Sequence, residues 1–185
     1  MTTGATASQD LAGDYQLDPA HTSIGFVARH AMVTKVRGNF DEFEGQVHIG
    51  PDISKSVVHV VIKAASIDTR NEMRDNHLRS NDFLAMEEYP EITFDSTEVG
   101  LAGEDTARIT GDLTIRGVTK SVTFDITYTG SAKDPFGNLR LGFEGSFVIN
   151  RKDWGVSWNA PLEAGGMLVS EKVTVEFDVS AIKVT

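Results

Sequence analysis

Apolar and polar residues alternate with a period of two through most of this chain. That restricts it to a β fold whose strands each have one dry and one wet face. Val118, Val122, Phe124, Ile126 and Tyr128 oppose Thr119, Ser121, Thr123, Asp125 and Thr127. Leu139, Leu141, Phe143, Phe147 and Ile149 oppose Arg140, Glu144 and Ser146, and Val173, Val175, Phe177, Val179 and Ala181 oppose Thr174, Glu176, Asp178 and Ser180. Shorter runs place Ile24, Phe26, Ala28 and His30 on one face, as they do Phe43, Gly45, Val47 and Ile49, Ile92 and Phe94, and Ile109, Gly111, Leu113 and Ile115. Between Ser56 and Lys63 both faces carry valine, which predicts a strand covered on both sides. Arg116-Gly117, Asp134-Pro135-Phe136-Gly137-Asn138 and Gly165-Gly166 supply turns. About eight antiparallel strands at hairpin spacing predict a sandwich or an up-and-down barrel.

One stretch breaks the pattern. Thr69-Arg70-Asn71-Glu72 has the spacing of a capping box with Thr69 as N-cap, and Met73, His77 and Asn81 then share a helical face flanked by Leu78. Pro90 returns the chain to extended form. A short helix is therefore expected between Ile67 and Ile92, and a second short helix or irregular loop between Ser157 and Gly165. The Thr/Ala/Gly/Ser-rich start reads as a flexible tail over residues 1–13, leaving one domain over 14–185.

Composition narrows the function. Lys and Arg total 17 against 27 Asp and Glu, a net charge of −10. This argues against nucleic-acid binding and against spreading on an anionic membrane, while leaving room for a local basic patch. Cysteine is absent, which removes disulfides, thiolate catalysis and Cys-ligated zinc or iron–sulfur sites. Residues 1–10 lack the basic and apolar regions of a signal peptide, so a cytoplasmic protein is expected. No apolar run is long enough for a spanning helix.

Catalytic signatures are missing: there is no GxSxG, HExxH, Walker A or GxGxxG element. His30 falls on a dry strand face and His77 on the helix, but His21, His30 and His77 do not have zinc spacing, so no metal or cofactor is expected. Arg70, Arg74 and Arg79, with Lys35 and Arg37, form either a local anion site or a solvated face with an Asp75–Arg79 pair. Phe26, Phe94, Phe124, Phe143, Phe147 and Phe177 all lie on dry faces. They describe either a filled core or an aromatic-lined cavity, since a barrel of this size can be either.

Several motifs in order resemble the YceI family. His21-Thr22-Ser23-Ile24-Gly25-Phe26 with His30 is similar to its opening "HSxxxFxxxH". Gly38-Asn39-Phe40 with Phe43-Glu44-Gly45 resembles "GxFxxFxG". Arg74-Asp75-Asn76-His77-Leu78, Asp82-Phe83, Tyr89-Pro90 and Phe94-Asp95-Ser96 resemble "RDxHLxxxDFF…YPxxxFxS", with Leu84 for the second Phe. Gly111-Asp112-Leu113-Thr114-Ile115 with Gly117-Val118-Thr119-Lys120 resembles "GxLTxxGVTK", and Arg151-Lys152-Asp153-Trp154-Gly155 resembles "RxDFG" with Trp for Phe. The resemblance runs from about Asp14 to the C-terminus.

It implies an all-β fold: an extended eight-stranded antiparallel lipocalin-like barrel with one or two short helices. It implies no enzyme activity and no cofactor. The implied function is binding and carriage or storage of a long apolar isoprenoid or lipid, a polyprenyl phosphate or an isoprenoid quinone, in an elongated cavity. The chain would lie against Phe26, Phe94, Phe124, Phe143, Phe147 and Phe177, with Leu113 and Ile126. The helix with Met73, His77 and Leu78 would cover one end, and His30, Arg74 and His77 would meet the head group. Rival expectations are a scavenger of hydrophobic small molecules, an enzyme using His30 or His77, and a filled barrel. Two copies pairing at a mouth or along edge strands would make a homodimer.

Overall fold

The computed structural model describes residues 11–163 and 165–184; of the tail expected over residues 1–13, residues 1–10 lie outside these and Gly13 is already the first residue of a strand. The strands are β1 (Gly13–Leu17), β2 (Ser23–His30), β3 (Thr34–Phe40), β4 (Phe43–Ile49), β5 (Val57–Lys63), β6 (Ile67–Asp68), β7 (Glu91–Leu101), β8 (Thr106–Ile115), β9 (Val118–Lys133), β10 (Leu139–Asn150) and β11 (Lys172–Lys183), with one α-helix, α1 (Glu72–Arg79). Hydrogen bonding runs β1-β4-β5-β7-β8-β9-β10-β11 and back to β1, which closes an eight-stranded antiparallel barrel. Strand β11 forks: its end at residues 181–183 pairs with β1, while residues 174–178 pair with β2. Strands β2, β3 and β6 form a flap beyond that fork.

Successive side chains point to opposite faces of a strand, so closure turns each alternating run into an inner and an outer row. The Arg116-Gly117 turn has φ of 50° and 73°, and two positive φ values match the twist of the strands it joins. Strand β5 is not covered on both sides as expected. Val57 is 51% exposed on the outer row, while Val58, Val60 and Ile62 face inward. A double valine row signals burial on both faces only where a second layer lies outside, and a barrel wall has none.

The helix starts differently from expectation. Asn71, not Thr69, is the N-cap, its side chain accepting from the Arg74 N–H at 3.0 Å. Thr69 instead donates to the buried Asp75 carboxylate from its N–H (2.9 Å) and its hydroxyl (2.5 Å). That satisfies Asp75 without Arg79, so the expected i,i+4 pair does not form. Arg79 donates to the carbonyls of Ala65 (2.8 Å) and Ile67 (3.1 Å). The segment after Ser157 is irregular, and the other helical elements are 3₁₀ turns over Ile53–Lys55, Ala64–Ser66 and Arg151–Trp154 that the alternation gave no reason to expect.

One end of the barrel is packed shut. Phe83, Ile92, Leu113, Ile149, Trp154 and Val156 are buried together there. The Trp154 indole donates to the Leu113 carbonyl at 2.8 Å, and the Arg116 guanidinium to that of Phe83 at 2.7 Å. Both bonds tie the segments after α1 and after β10 across the strand ends. A smaller core of Tyr15, Leu17, Ile49, Leu141 and Ala181 lies toward the other end.

Candidate functional site

Between the two cores the barrel is hollow. The cavity measures about 420 Å³ and its wall is almost wholly apolar. Phe124, Phe143, Phe147 and Phe177 point inward from the middle of a closed sheet, yet each is only half-buried. An inward ring with free surface faces empty space, so the filled-barrel expectation does not hold. A dry apolar cavity of about 150 Å³ takes a benzene ring. By the same proportion this one holds a chain of roughly 15–20 carbon atoms.

Phe124 is the hub of the wall. It stacks on Phe147 (centroids 4.5 Å, planes 9° apart) and meets Phe94 at 5.4 Å and Phe177 at 5.6 Å. The space is kept open partly by glycine. A Cβ on Gly111 would sit 2.5 Å from the Phe94 ring, and one on Gly145 would sit 2.7 Å from the Phe177 ring. Each ring therefore lies flat over the neighbouring strand rather than across the lumen. Gly145→Ala is expected to cost about 1–3 kcal/mol, because the new methyl also meets the Asp125 carbonyl at 2.9 Å. Chemical denaturation checks this; an unchanged midpoint would show the wall yielding freely.

The open end is rimmed by Leu11, Ile53, Ser56, Leu101, Glu104, Asp105 and Thr106. These carry the polar groups of the lining, apart from Tyr128 just inside. Near it Arg140 clips two turns together, donating to Asp18 at 2.6 Å and Asp134 at 2.8 Å. Hydrogen bonds from Arg140 and then His21 hold the Asp18 carboxyl down at about 2. Asp134 is also held at about 2, first by the Asn138 N–H and also by Arg140. A carboxylate depressed in the fold stabilises it above its unfolded pKa, and that contribution is lost as pH falls through the folded value. The wild-type Tm should therefore exceed that of Arg140→Ala at pH 7, with the gap closing between about pH 4 and pH 2. A gap independent of pH would contradict this account of the clip.

Of the residues singled out from sequence, Phe94, Leu113, Phe124, Ile126, Phe143, Phe147 and Phe177 come together around the cavity. The others do not. Phe26 lies over Gly38 and against Phe40 at 5.9 Å, on the flap. His30 is exposed rather than dry, because β2 has left the barrel wall by its last residue and nothing covers that face. Met73 is 84% exposed on α1. Arg74 is turned back onto Thr69, donating to its hydroxyl (2.7 Å) and carbonyl (2.6 Å). His77 packs edge-on to Phe83 and Trp158 and bonds Asp82 at 2.8 Å, while Leu78 joins the shut-end core. No histidine lines the cavity, which leaves lumenal acid–base chemistry without the groups expected to perform it. Among the described residues no cluster of His, Asp and Glu is arranged to hold a metal, and no helix is long and apolar enough to cross a membrane. Val58, Val60 and Tyr128 also line the cavity, as their strand parity marks them inward, whereas Val99 has the opposite parity to Phe94 and is turned inward by the β-bulge between Ser96 and Glu98.

Comparison with known proteins agrees with this architecture. Residues 15–181 match the family described as the YceI-like domain. A UPF0312 protein of Staphylococcus aureus strain N315 is 38% identical over 173 residues, covering 91% of this chain and 95% of that protein. The crystal structure of a Campylobacter jejuni YceI protein superimposes with a TM-score of 0.72 at 29% identity, covering 85% of this chain and 90% of that one. A polyisoprenoid-binding domain from Saccharophagus degradans, implicated in plant cell wall breakdown, shares the fold at a TM-score of 0.72 and 16% identity, over 92% of this chain and 98% of that one. By these matches and by its barrel, the chain belongs to the YceI-like family.

Proposed function

We propose that this protein binds a long apolar isoprenoid or lipid in the barrel cavity and carries or stores it. The observation that carries this reading is the hollow lumen: inward phenylalanines left half-bare in a closed barrel. Burying each CH₂ contributes about 0.8 kcal/mol, so a chain of this length binds without many polar contacts. The polyisoprenoid-binding domain of the same fold lends support. The rim selects the head. A prenyl phosphate would bring its charge beside Glu104 and Asp105, so a neutral head such as a quinone fits better.

Native mass spectrometry of gently purified protein, followed by solvent extraction, tests the proposal. A stoichiometric long-chain isoprenoid is the expected result. A clean apo mass with no uptake of added prenyl lipid would overturn it. A scavenger would bind unrelated ligands alike, whereas a dedicated carrier discriminates by chain length and prefers a neutral-headed chain over its diphosphate. The proposal extends to a cytoplasmic carrier, which cell fractionation reads directly.

A further inference from the structure

At the shut end, on the flap, three departures from ordinary folding rules coincide. The β2–β3 turn places Ala31 and Met32 at φ of 51° and 63°, a region that favours glycine or asparagine. Its side chains are apolar and bare, with Met32 64% and Val33 75% exposed. Behind them Arg29 and Lys35 are direct cross-strand partners, so two cations face each other where opposite charges would stabilise. Among the described residues neither has an ion-pair partner.

A second turn completes the surface. Pro161 and Met167 bridge across it, and Met167 is 45% exposed. It is fastened to the first by the Ala31 N–H on the Leu168 carbonyl (2.7 Å) and the Ser170 N–H on the Arg29 carbonyl (3.0 Å). Gly166 has no side chain, and the Met32 sulfur lies where its Cβ would be. Met32, Val33 and Met167 thus form one apolar knob backed by Arg29, Lys35 and exposed His30. Nearby carboxylates are engaged: Glu176 by Arg37 at 3.2 Å and Glu171 by Lys152 at 2.7 Å. Glu163, exposed on the second turn, is the opposing charge.

We propose that this knob docks the protein on an anionic lipid bilayer. Apolar side chains enter the acyl boundary while cations sit at the headgroups, which is how peripheral segments hold a membrane surface. Such a contact offsets two of these local costs, covering the methionines and valine and neutralising the facing cations, and backbone strain like that of the turn is of the kind stored at functional sites. The net charge of −10 does not prevent it. The Debye length is about 8 Å at physiological salt, so the bilayer meets the charges of the knob rather than those of the whole chain. The cavity mouth lies at the far end of β11, roughly 35 Å away at the rise of an extended strand. Docking in this way leaves the mouth facing the aqueous side.

Co-sedimentation with vesicles tests this. Vesicles of phosphatidylcholine containing about 30% phosphatidylglycerol should pull the protein down, and pure phosphatidylcholine should not. Lys35→Glu should weaken the partition by more than about fivefold, roughly the effect of losing a single cation, and about 1 M salt should abolish it. Met32→Asn separates docking from folding: asparagine tolerates positive φ, so the Tm should rise while vesicle binding falls about tenfold. No sedimentation with anionic vesicles would overturn the proposal, as would binding indifferent to these substitutions. So would a dimer in light scattering that Met32→Asn converts to monomer, because the knob would then be an interface between copies.

Discussion

Phe124→Asp is expected to abolish uptake of a long apolar ligand while leaving a folded barrel. Phe124 touches Phe94, Phe147 and Phe177, so the substitution removes the centre of the aromatic wall and sets a carboxyl in its place. Sealing that carboxyl under a bound chain costs several kcal/mol, which corresponds to an affinity loss of at least about 100-fold. The empty protein suffers less, because the ring is only half-buried and water can reach the new group. A stability loss of about 3 kcal/mol is expected, at the lower end for a core aromatic. Phe124→Leu keeps the surface apolar and should retain most of the affinity. Titration with a neutral C15–C20 isoprenoid, alongside far-UV circular dichroism, reads both effects. A folded Asp variant with unchanged uptake would show that the ligand does not lie against this wall.

The largest effect on stability is expected at Arg151. Its guanidinium is buried, and no carboxylate is among its hydrogen-bond partners. It donates to the carbonyls of Val156 (2.7 Å), Ser170 (2.8 Å), Trp158 (2.9 Å) and Val169 (3.3 Å). Burial pushes its pKa down. The cation is thus the hub on which the irregular segment after the 3₁₀ turn is folded. Arg151→Met fills the space but leaves the carbonyls of Val156, Trp158 and Ser170 without this donor, while that of Val169 keeps the Asn159 amide at 2.7 Å. With part of them regaining water, a loss of about 4 kcal/mol is expected. For a chain of this size that lowers Tm by roughly 8–16 °C. Arg151→Lys should recover little, since an ammonium cannot reproduce the planar fork. A Met variant melting within about 2 °C of wild type in calorimetry would show that the segment holds itself.

Period-two alternation made most of the wall legible, because Cβ direction is fixed by strand geometry before any tertiary contact forms. Phe94, Phe124, Phe143, Phe147 and Phe177 were placed inward on that ground, and the Arg116-Gly117 hairpin by its turn chemistry. Alternation names a face but not what covers it, which is why His30 was expected dry and lies in water. It also cannot tell a full lumen from an empty one. That depends on closure and on Gly111 and Gly145 letting rings lie flat, a matter of neighbours across strands rather than along them. Thr69 and Asn71 are both competent caps, and the choice was made by Asp75 capturing Thr69 from within the helix. The rim residues Leu11, Ile53, Glu104 and Asp105 come from segments with no period, so no pattern marked them.

A barrel sealed at one end by Trp154 and Phe83 and open at the other has a sense of direction. A chain held as proposed would be threaded tail first and withdrawn head first, since the described residues leave a single doorway. Every molecule loaded in that way would offer the same chemical terminus to the surroundings. A downstream enzyme or acceptor meeting the complex at Glu104 and Asp105 would reach the reactive head while the greasy remainder stayed sheathed. Recognition of the head and extraction of the tail would thereby be separate events, governed by the rim and by the wall respectively.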